Sequence, residues 1–258
     1  MRNDQHVLLF GDDGSQASDA AWLWINNHTW NGWALDRLTA STVTIKALGP
    51  MRDVPRLDRT PFTEAGFSAV QSAFVDGDPR ILLWEATDAD MVVVGSHGRS
   101  KWRGTWVGST TTWLMQHPTA PLVVIRHGRR TQRVLVAVDG SVHADAGVEA
   151  LAELPWASTL EVLVVSVDDG RTDAAASLKA GAKRLEGSVA TLATQELSGH
   201  ATDALVEAIE NSASDLVVMG TRGLTGWSQL TVGSTATAVV HSSGCNALLA
   251  CRPAADSA

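Results

Sequence analysis

The chain has 258 residues, 45% of them hydrophobic, which is enough for one large domain or for two of ordinary size. Its formal net charge of −8 argues against general binding to nucleic acid or to an anionic membrane, because both require a basic field. The chain has only two cysteines, and no apolar run approaches ~20 residues. Its amino terminus lacks a secretory hydrophobic segment. These features indicate a cytoplasmic protein without disulfides or membrane spans.

The first half of the chain opens with an apolar strand within residues 6–15, which end in Asp-Gly-Ser. We expect its second strand around Val43, which makes the connection from Asp13 long, at 43 − 13 = 30 residues. The segment 49–66 contains three prolines, so the helix expected there is degraded to a loop. A further apolar strand follows at residues 91–95 and leads into a glycine-rich loop.

The second half alternates strands and helices with clear boundaries. The predicted strands lie at 134–138, 160–167, 189–197, 215–219 and 247–251. The predicted helices lie at 141–154, 173–187, 202–212 and 234–241. The first connection, from Asp139 to Val162, is 162 − 139 = 23 residues and is therefore shorter than in the first half. Continuous apolar strands separated by helices predict a parallel sheet covered on both faces.

One glycine spacing, Gly-x2-Gly-x9-Gly-Ser-Thr, occurs in both halves of the chain. The first copy consists of Gly95, Gly98, Gly108, Ser109 and Thr110, and the second of Gly220, Gly223, Gly233, Ser234 and Thr235. The offset is 220 − 95 = 125 residues, and the Asp-Gly-Ser segments repeat at a nearly equal offset, 139 − 13 = 126. A repeat of this length indicates a duplicated domain. We therefore predict domains at 1–127 and 132–254, joined by a short basic linker.

These residue types fit a phosphate-bearing ligand. Glycines at a strand exit let the backbone approach a ligand closely, and Gly-Ser-Thr at a helix start offers N–H groups and hydroxyls to an anion. If the first and fourth strands are neighbours, Asp13 and the loop from Gly95 face one crevice, and Asp139 and the loop from Gly220 face another. Structural roles remain open beside this one: the glycines also suit helix–strand packing, and Asp-Gly is common turn chemistry.

The Asp-Gly-Ser segments and the loops GSHG…VGST and GTRG…VGST resemble the universal stress protein family in its tandem, ATP-binding form. The resemblance covers nearly the whole chain. It implies an α/β fold of two doubly wound, parallel five-stranded sheets of Rossmann-like, adenine-nucleotide α-hydrolase-like type. Each sheet has strand order 3-2-1-4-5, and the fifth strands pair to form a pseudo-dimer. It also implies ATP as the ligand, with Mg²⁺ reached through the phosphates, and a role in stress or growth control.

The same resemblance assigns the aspartate and the backbone at the end of strand two to adenosine, and the glycine motif to ribose and phosphates. The residues implied for the first half are Asp13, Ala47, Val94, Gly95, His97, Gly98, Gly108, Ser109, Thr110 and Thr111. Those implied for the second half are Asp139, Val167, Met219, Gly220, Arg222, Gly223, Gly233, Ser234 and Thr235. Ala236 replaces Thr111, and Arg222 replaces His97, so we expect unequal affinities.

The other conspicuous side chains are interpreted as structural. Eight of the ten tryptophans lie in the first half, and Trp22, Trp24, Trp30 and Trp33 are expected to fill core and interface. Trp102 and Trp227 share the 125-residue offset and either cover the nucleotide or pack their loops, with packing the preferred interpretation. The histidines show no metal-ligand spacing, and Cys245 and Cys251 are expected to be inert.

The function predicted from these features is a nucleotide-binding regulator, with no catalytic and no metal-ligating residue assigned. There is no P-loop lysine, no kinase signature and no nucleophile–base arrangement. Two alternatives stay open. One is a slow ATPase or phosphotransferase with Ser109 or Ser234 as acceptor, and the other is an interaction scaffold whose tryptophan-rich half binds a protein partner. A homodimer of tandem chains is the expected assembly, with adenine nucleotide as the small-molecule partner.

Overall fold

The structure is a computed structural model that describes residues 5–41, 65–86, 88–98, 107–170, 173–223 and 233–251. Its contacts divide the chain into two compact units. The first comprises Met1–Leu114 with Val123–Arg130, and the second Met115–Leu122 with Thr131–Ala258. The predictions for the loop at 49–64 and for Ala47, Trp102 and Trp227 lie outside the described residues.

The first half forms a five-stranded sheet in the order β3-β2-β1-β4-β5. Its strands are β1 (His6–Gly11), β2 (Trp33–Ser41), β3 (Ala69–Asp76), β4 (Met91–Gly95) and β5 (Leu122–Ile125). Its helices are α1 (Gln16–Asn26), α2 (Pro79–Glu85) and α3 (Ser109–Gln116). The pairings of β1 with β2 and β4, and of β2 with β3, are parallel.

The second half repeats this topology in the order β8-β7-β6-β9-β10, and all four pairings are parallel. Its strands are β6 (Arg133–Ala137), β7 (Glu161–Asp168), β8 (Thr191–Ser198), β9 (Leu216–Gly220) and β10 (Asn246–Ala250). Its helices are α4 (Val142–Ala152), α5 (Ala174–Leu185), α6 (Ala201–Asn211) and α7 (Ser234–Ser242). Both halves have the predicted order 3-2-1-4-5, so the doubly wound α/β fold is confirmed.

Strands and helices form where the sequence gives them apolar runs and caps. The central strands β4 and β9 read MVVVG and LVVMG, and every residue before the final glycine is buried, as expected for a sheet covered on both faces. Ser15 and Ser141 cap α1 and α4, each accepting a backbone N–H bond through Oγ at 3.1 Å. Such caps satisfy helix N–H groups that have no partner within the helix.

The second strand of the first half is displaced from its predicted place. β2 starts at Trp33 rather than near Val43, so the connection from Asp13 is 33 − 13 = 20 residues, slightly shorter than the 161 − 139 = 22 of the second half. The expectation of a longer first connection was wrong. The strand was missed because two charged residues, Asp36 and Arg37, interrupt its apolar pattern. The Arg37 guanidinium is paired with Asp12, with Nη2 2.7 Å from the carboxylate oxygen.

The tryptophans of α1 and its surroundings fill the core of the first half, as expected for Trp22, Trp24, Trp30 and Trp33, none of which is more than 4% exposed. The Trp30 indole N–H donates to the Ile25 carbonyl at 2.8 Å. Its ring stacks on Phe67 at 5.9 Å and meets Trp24 and Trp33 edge to face. Buried indoles of this size contribute large apolar areas and satisfy their single polar atom locally.

His28 belongs to the same aromatic core. Its Nδ1 lies 2.7 Å from the Trp24 carbonyl oxygen, so the neutral ring donates this hydrogen bond from Nδ1. Burial lowers the pKa of His28 to about 4, an effect increased by the Arg130 charge and opposed by the bond to Trp24. The folded chain therefore holds a neutral imidazole at a pH where an exposed one is protonated.

We predict that His28 makes the fold sensitive to mild acid. Because its folded pKa lies below its ordinary value of 6.5, the unfolded chain binds more protons between the two, and the free energy of unfolding falls as pH falls through this window. The contribution is about 2 kcal/mol between pH 7 and pH 5. Urea unfolding of the wild type and His28→Gln at both pH values measures it. Equal pH dependence in the two proteins would contradict the assignment.

Candidate functional site

The candidate site of each half lies at the carboxyl ends of two adjacent central strands. In the first half β1 and β4 pair directly, with Gly11 opposite Val94. In the second half β6 and β9 pair in the same way, with Val136 opposite Val218. Chain connections leave these strands in opposite directions along the sheet, which is the position where open α/β sheets bind ligands.

An aspartate carboxylate lies directly against the middle glycine of the motif in both halves. A Cβ placed on Gly98 would lie 2.8 Å from Oδ2 of Asp13, and one placed on Gly223 would lie 2.7 Å from Oδ2 of Asp139. Real Cβ atoms do not approach so closely, so a residue other than glycine at either position would displace the carboxylate from this place. The two predicted parts of the site, separated by more than 80 residues in sequence (98 − 13 = 85), therefore meet in space.

The same carboxylates also serve the turn that follows the first strand. Oδ1 of Asp13 accepts the backbone N–H of Ser15 at 2.9 Å, and Oδ1 of Asp139 accepts that of Ser141 at 2.9 Å. These are the aspartate turns expected ahead of glycine. One oxygen of each carboxylate is thus used by the turn, while the other lies at the glycine loop, so the structural and ligand-binding interpretations are compatible.

The first glycine of the motif is a packing position. A Cβ on Gly95 would lie 2.6 Å from the carbonyl carbon of Ala17, and one on Gly220 would lie 2.7 Å from the backbone nitrogen of Ala144. These contacts bring the end of the fourth strand onto the first turn of the first helix. The purely structural interpretation therefore accounts for Gly95 and Gly220.

The third glycine closes the loop. The backbone N–H of Gly108 donates to the Ser96 carbonyl at 2.7 Å, and that of Gly233 donates to the Thr221 carbonyl at 2.6 Å. A Cβ on Gly108 would lie 3.1 Å from the Cα of His97. The starts of α3 and α7 are thereby held beside the middle glycines, although nine residues of sequence separate them.

The helix starts present their hydroxyls unequally. Ser109 and Ser234 are exposed, and Thr110 and Thr235 are half-buried. Gly233 caps α7 without a side-chain hydrogen bond, as a residue without a side chain must. Backbone N–H groups at a helix start favour an anion.

Thr111 is placed differently from the role that the resemblance implied. It is 3% exposed, and its hydroxyl donates to the Gly95 carbonyl at 3.0 Å. Ala236, its counterpart, is likewise buried, at 2% exposure. The difference between Thr111 and Ala236 therefore lies in the packing under the loop, and it does not by itself make the two sites unequal.

The remaining predicted residues contribute differently. The side chains of Val94 and Met219 are 5% exposed and belong to the core, so only their main chain is available to a ligand. Val167 is half-buried near the end of β7. His97 is exposed, with Nδ1 3.0 Å from the Ser96 hydroxyl. Arg222 is half-buried, and its carbonyl accepts a bond of 3.4 Å from the Ser141 hydroxyl.

Two residues beside the sites were missed by the sequence reasoning. His143 lies in the first turn of α4, where burial and the Arg222 charge lower its pKa while Asp139 raises it. Asp12 is 4% exposed and accepts bonds from Arg37 and from the Ser18 hydroxyl, the latter at 2.9 Å. Neither residue belongs to the Gly-x2-Gly-x9-Gly-Ser-Thr motif. The feature of the sequence that could have pointed to His143 was its position four residues after Asp139.

Within the described part of the chain, no group of three or more histidine, cysteine, aspartate and glutamate side chains could hold a metal ion. No helix among the described residues is long and apolar enough to cross a membrane.

We predict that Gly95 and Gly98 respond differently to alanine. Gly95→Ala places a methyl group against the Ala17 backbone and should cost about 1–3 kcal/mol of stability, whereas Gly98→Ala meets a side-chain oxygen that can move and should cost less. Gly244→Ala is the matched control, because a Cβ there meets no atom within 4 Å. Urea unfolding measures the free energy of unfolding of each variant. A larger loss of stability in Gly98→Ala than in Gly95→Ala would contradict the assignment of Gly95 as the packing position.

Comparison with known protein families gives one match that covers most of the chain. A model of the universal stress protein family matches residues 63–126 and 130–250. Universal stress protein Slr1230 of Synechocystis sp. is 30% identical over 162 residues, which are 60% of this chain and 55% of that protein. A universal stress protein of Mycolicibacterium smegmatis is 47% identical over 45 residues, 17% of this chain and 15% of that protein. The matches thus span less than two thirds of either relative.

Solved structures show the same fold over nearly the whole chain. A universal stress protein from Archaeoglobus fulgidus has a TM-score of 0.70 at 20% identity, covering 96% of this chain and 99% of that one. A protein of unknown function from Pseudomonas aeruginosa has a TM-score of 0.59 at 15% identity, covering 96% and 92%. At these identities the similarity concerns the fold alone.

Proposed function

The chain belongs to the universal stress protein family, and we propose that each of its halves binds one adenine nucleotide, ATP, at the carboxyl ends of its first and fourth strands. Membership of this family supports a role in the response to stress. The further proposal is that the nucleotide-bound form is the regulatory one, acting in the cytoplasm on a protein partner and as a homodimer of tandem chains.

The observation that carries the proposal is the placement of the aspartate carboxylate against the middle glycine, where Oδ2 would lie 2.8 Å from a Cβ added to Gly98 and 2.7 Å from one added to Gly223. Oδ1 of Asp13 is used by the turn, so Oδ2 is the atom proposed to accept from a ribose hydroxyl. Gly98 has no side chain, so the ribose and first phosphate are proposed to lie against its backbone beside this carboxylate. The start of α3, with the exposed Ser109, then offers N–H and O–H groups to the outer phosphates.

The two sites are proposed to have unequal affinities because their charged groups differ. The second half carries Arg222, which holds a permanent charge, at the place where the first half carries His97. In the first half, the basic residues of the motif lie in the segment 99–106, whereas 224–232 contains no charged residue. The placement of the aspartate against the middle glycine is closely similar in both halves.

A slow ATPase or phosphotransferase is the second candidate, favoured by the exposure of Ser109 and Ser234 at the helix starts. In a phosphotransferase, either hydroxyl would attack the γ-phosphorus, with ADP as the leaving group and the hydroxyl proton passing to solvent, whereas in an ATPase a water molecule would be the nucleophile. The charge on the γ-phosphoryl group would need a cation in the transition state, and the motif offers Arg222 or His97 for this role. A scaffold function is less well supported, since four tryptophans that would form its surface are buried, at 4% exposure or less.

We predict two ATP-binding events per chain in a calorimetric titration with ATP and Mg²⁺. Gly98→Val should weaken the first-half site about tenfold or more, because the added side chain displaces the Asp13 carboxylate, and Gly223→Val should do the same in the second half. Gly244→Val, at an open glycine, is the control that should change neither site. No heat from any protein, with no nucleotide co-purified, would refute ATP binding.

We also predict that ATP turnover stays below ~1 s⁻¹, the lower end of ordinary enzymes. Backbone N–H groups and hydroxyls that bind ground and transition states equally do not accelerate the chemical step. A steady-state phosphate-release assay at saturating ATP measures it. Faster turnover that disappears in Arg222→Ala or His97→Ala, with ATP binding retained, would instead make the protein an enzyme.

A further inference from the structure

The second half has a histidine at a place where the first half has alanine. His143 is the second residue of α4, and its Cβ lies 2.9 Å from the position that a Cβ on Gly220 would take. In the first half the Cβ of Ala17 lies at the same 2.9 Å from the corresponding position on Gly95. The two halves therefore present different side chains at one place beside the first glycine of the motif.

Two charged side chains act on the His143 ring from outside its helix. Arg222 lowers the pKa of His143 and Asp139 raises it, with burial the largest effect and in the same direction as Arg222. Both neighbours belong to the candidate site. Asp139 lies against Gly223, and the Arg222 carbonyl accepts a hydrogen bond from the helix cap Ser141.

The other elements packed on α4 contribute no further charge near this end, since the one charged residue of β6, Arg133, stands at the amino end of that strand. The strands β9 and β10 read LVVMG and NALLA and contain no charged side chain. On α5, Arg184 is paired at 2.9 Å with Asp145 of α4. Among the described residues, the charges that shift the pKa of His143 are those of Arg222 and Asp139.

We propose that His143 is a further anion-binding residue of the second-half site, which contacts the nucleotide phosphates together with Arg222 and takes up a proton when they bind. The inference rests on the proposed function and goes beyond its glycine motif. A ring near a guanidinium is hard to protonate alone, but polyphosphate oxygens beside both groups favour the charged ring. The proton comes from the buffer and stays on the imidazole, and no bond of the nucleotide changes.

This uptake couples the affinity of one half to pH. Because the complex favours the protonated ring, affinity for ATP in the second half rises as pH falls through the pKa that His143 has in the complex. Each unit of difference between the bound and free pKa corresponds to a tenfold change in affinity. We expect the second half to bind ATP about three- to tenfold more tightly at pH 6 than at pH 8.

The test uses the full chain with Gly98→Val, so that the titration reports the second half. ATP with Mg²⁺ is titrated at pH 6 and pH 8 in buffers of different ionisation heat, which measures proton uptake directly. His143→Ala, which introduces the first-half residue, and His143→Gln, which keeps a polar side chain, should both lose the uptake and the extra affinity at pH 6. Both should still bind ATP at pH 8. Adenosine, which has no phosphates, should show no effect of either substitution.

The outcomes separate this inference from the proposed function. If no variant and no wild-type half binds ATP, the proposed function fails and this inference with it. If the second half binds ATP with unchanged pH dependence in His143→Ala, ATP binding stands and the role of His143 is refuted. An equal loss of affinity at both pH values, for ATP and adenosine alike, would also refute the role of His143 in phosphate binding, because it would indicate a structural role. Thermal unfolding confirms that each variant is folded.

Discussion

The close approach of three chain segments, made possible by absent side chains, is the constraint on which each half depends. Gly95 lets the end of β4 touch the first turn of α1, with a virtual Cβ 2.6 Å from the Ala17 backbone. Gly98, three residues later, lets the loop touch the Asp13 carboxylate. A protein interior tolerates little overlap of this kind, so these glycines fix where the loop can run. The crevice, the helix start and the turn after β1 take their positions from that contact.

The two halves share this arrangement of glycines and aspartate, and they differ in the polarity of the side chains around it. Behind the turn of the first half, the buried Asp12 forms an ion pair with the half-buried Arg37. At the corresponding place in the second half, Val138 and Val164 pack on Gly181 of α5. Buried ion pairs and apolar contacts of similar volume often give comparable stability. The duplication therefore conserved geometry while chemistry diverged, both here and at His143.

The sequence revealed the second half more completely than the first, for a physical reason. Strands with continuous apolar runs, such as β6 and β9, can be recognised from the sequence alone. Their predicted and observed limits differ by one residue at either end. In β2, by contrast, Arg37 is tolerated because Asp12 neutralises it, a contact between separate strands that no local pattern reveals. A strand whose charged residue is stabilised by a residue distant in sequence cannot be predicted from the local hydrophobic periodicity.

The candidate site was predictable to a similar, partial extent. The meeting of Asp13 with Gly98 follows from strand order and motif spacing, since both lie at the carboxyl ends of neighbouring strands. The burial of Thr111 and the neighbourhood of His143 depend on which side of a helix faces the sheet, and spacing alone does not determine this.

The uneven distribution of tryptophan gives the molecule an optical asymmetry. Eight of its ten indoles belong to the first half, the chain has no tyrosine, and the second half contributes only Trp156 and Trp227. Most of the intrinsic fluorophores therefore belong to the first half, where four of the indoles are buried. Backbone circular dichroism weights both halves by their length. A difference between the two signals during denaturation would reveal halves that unfold separately, without a label or a cut in the chain.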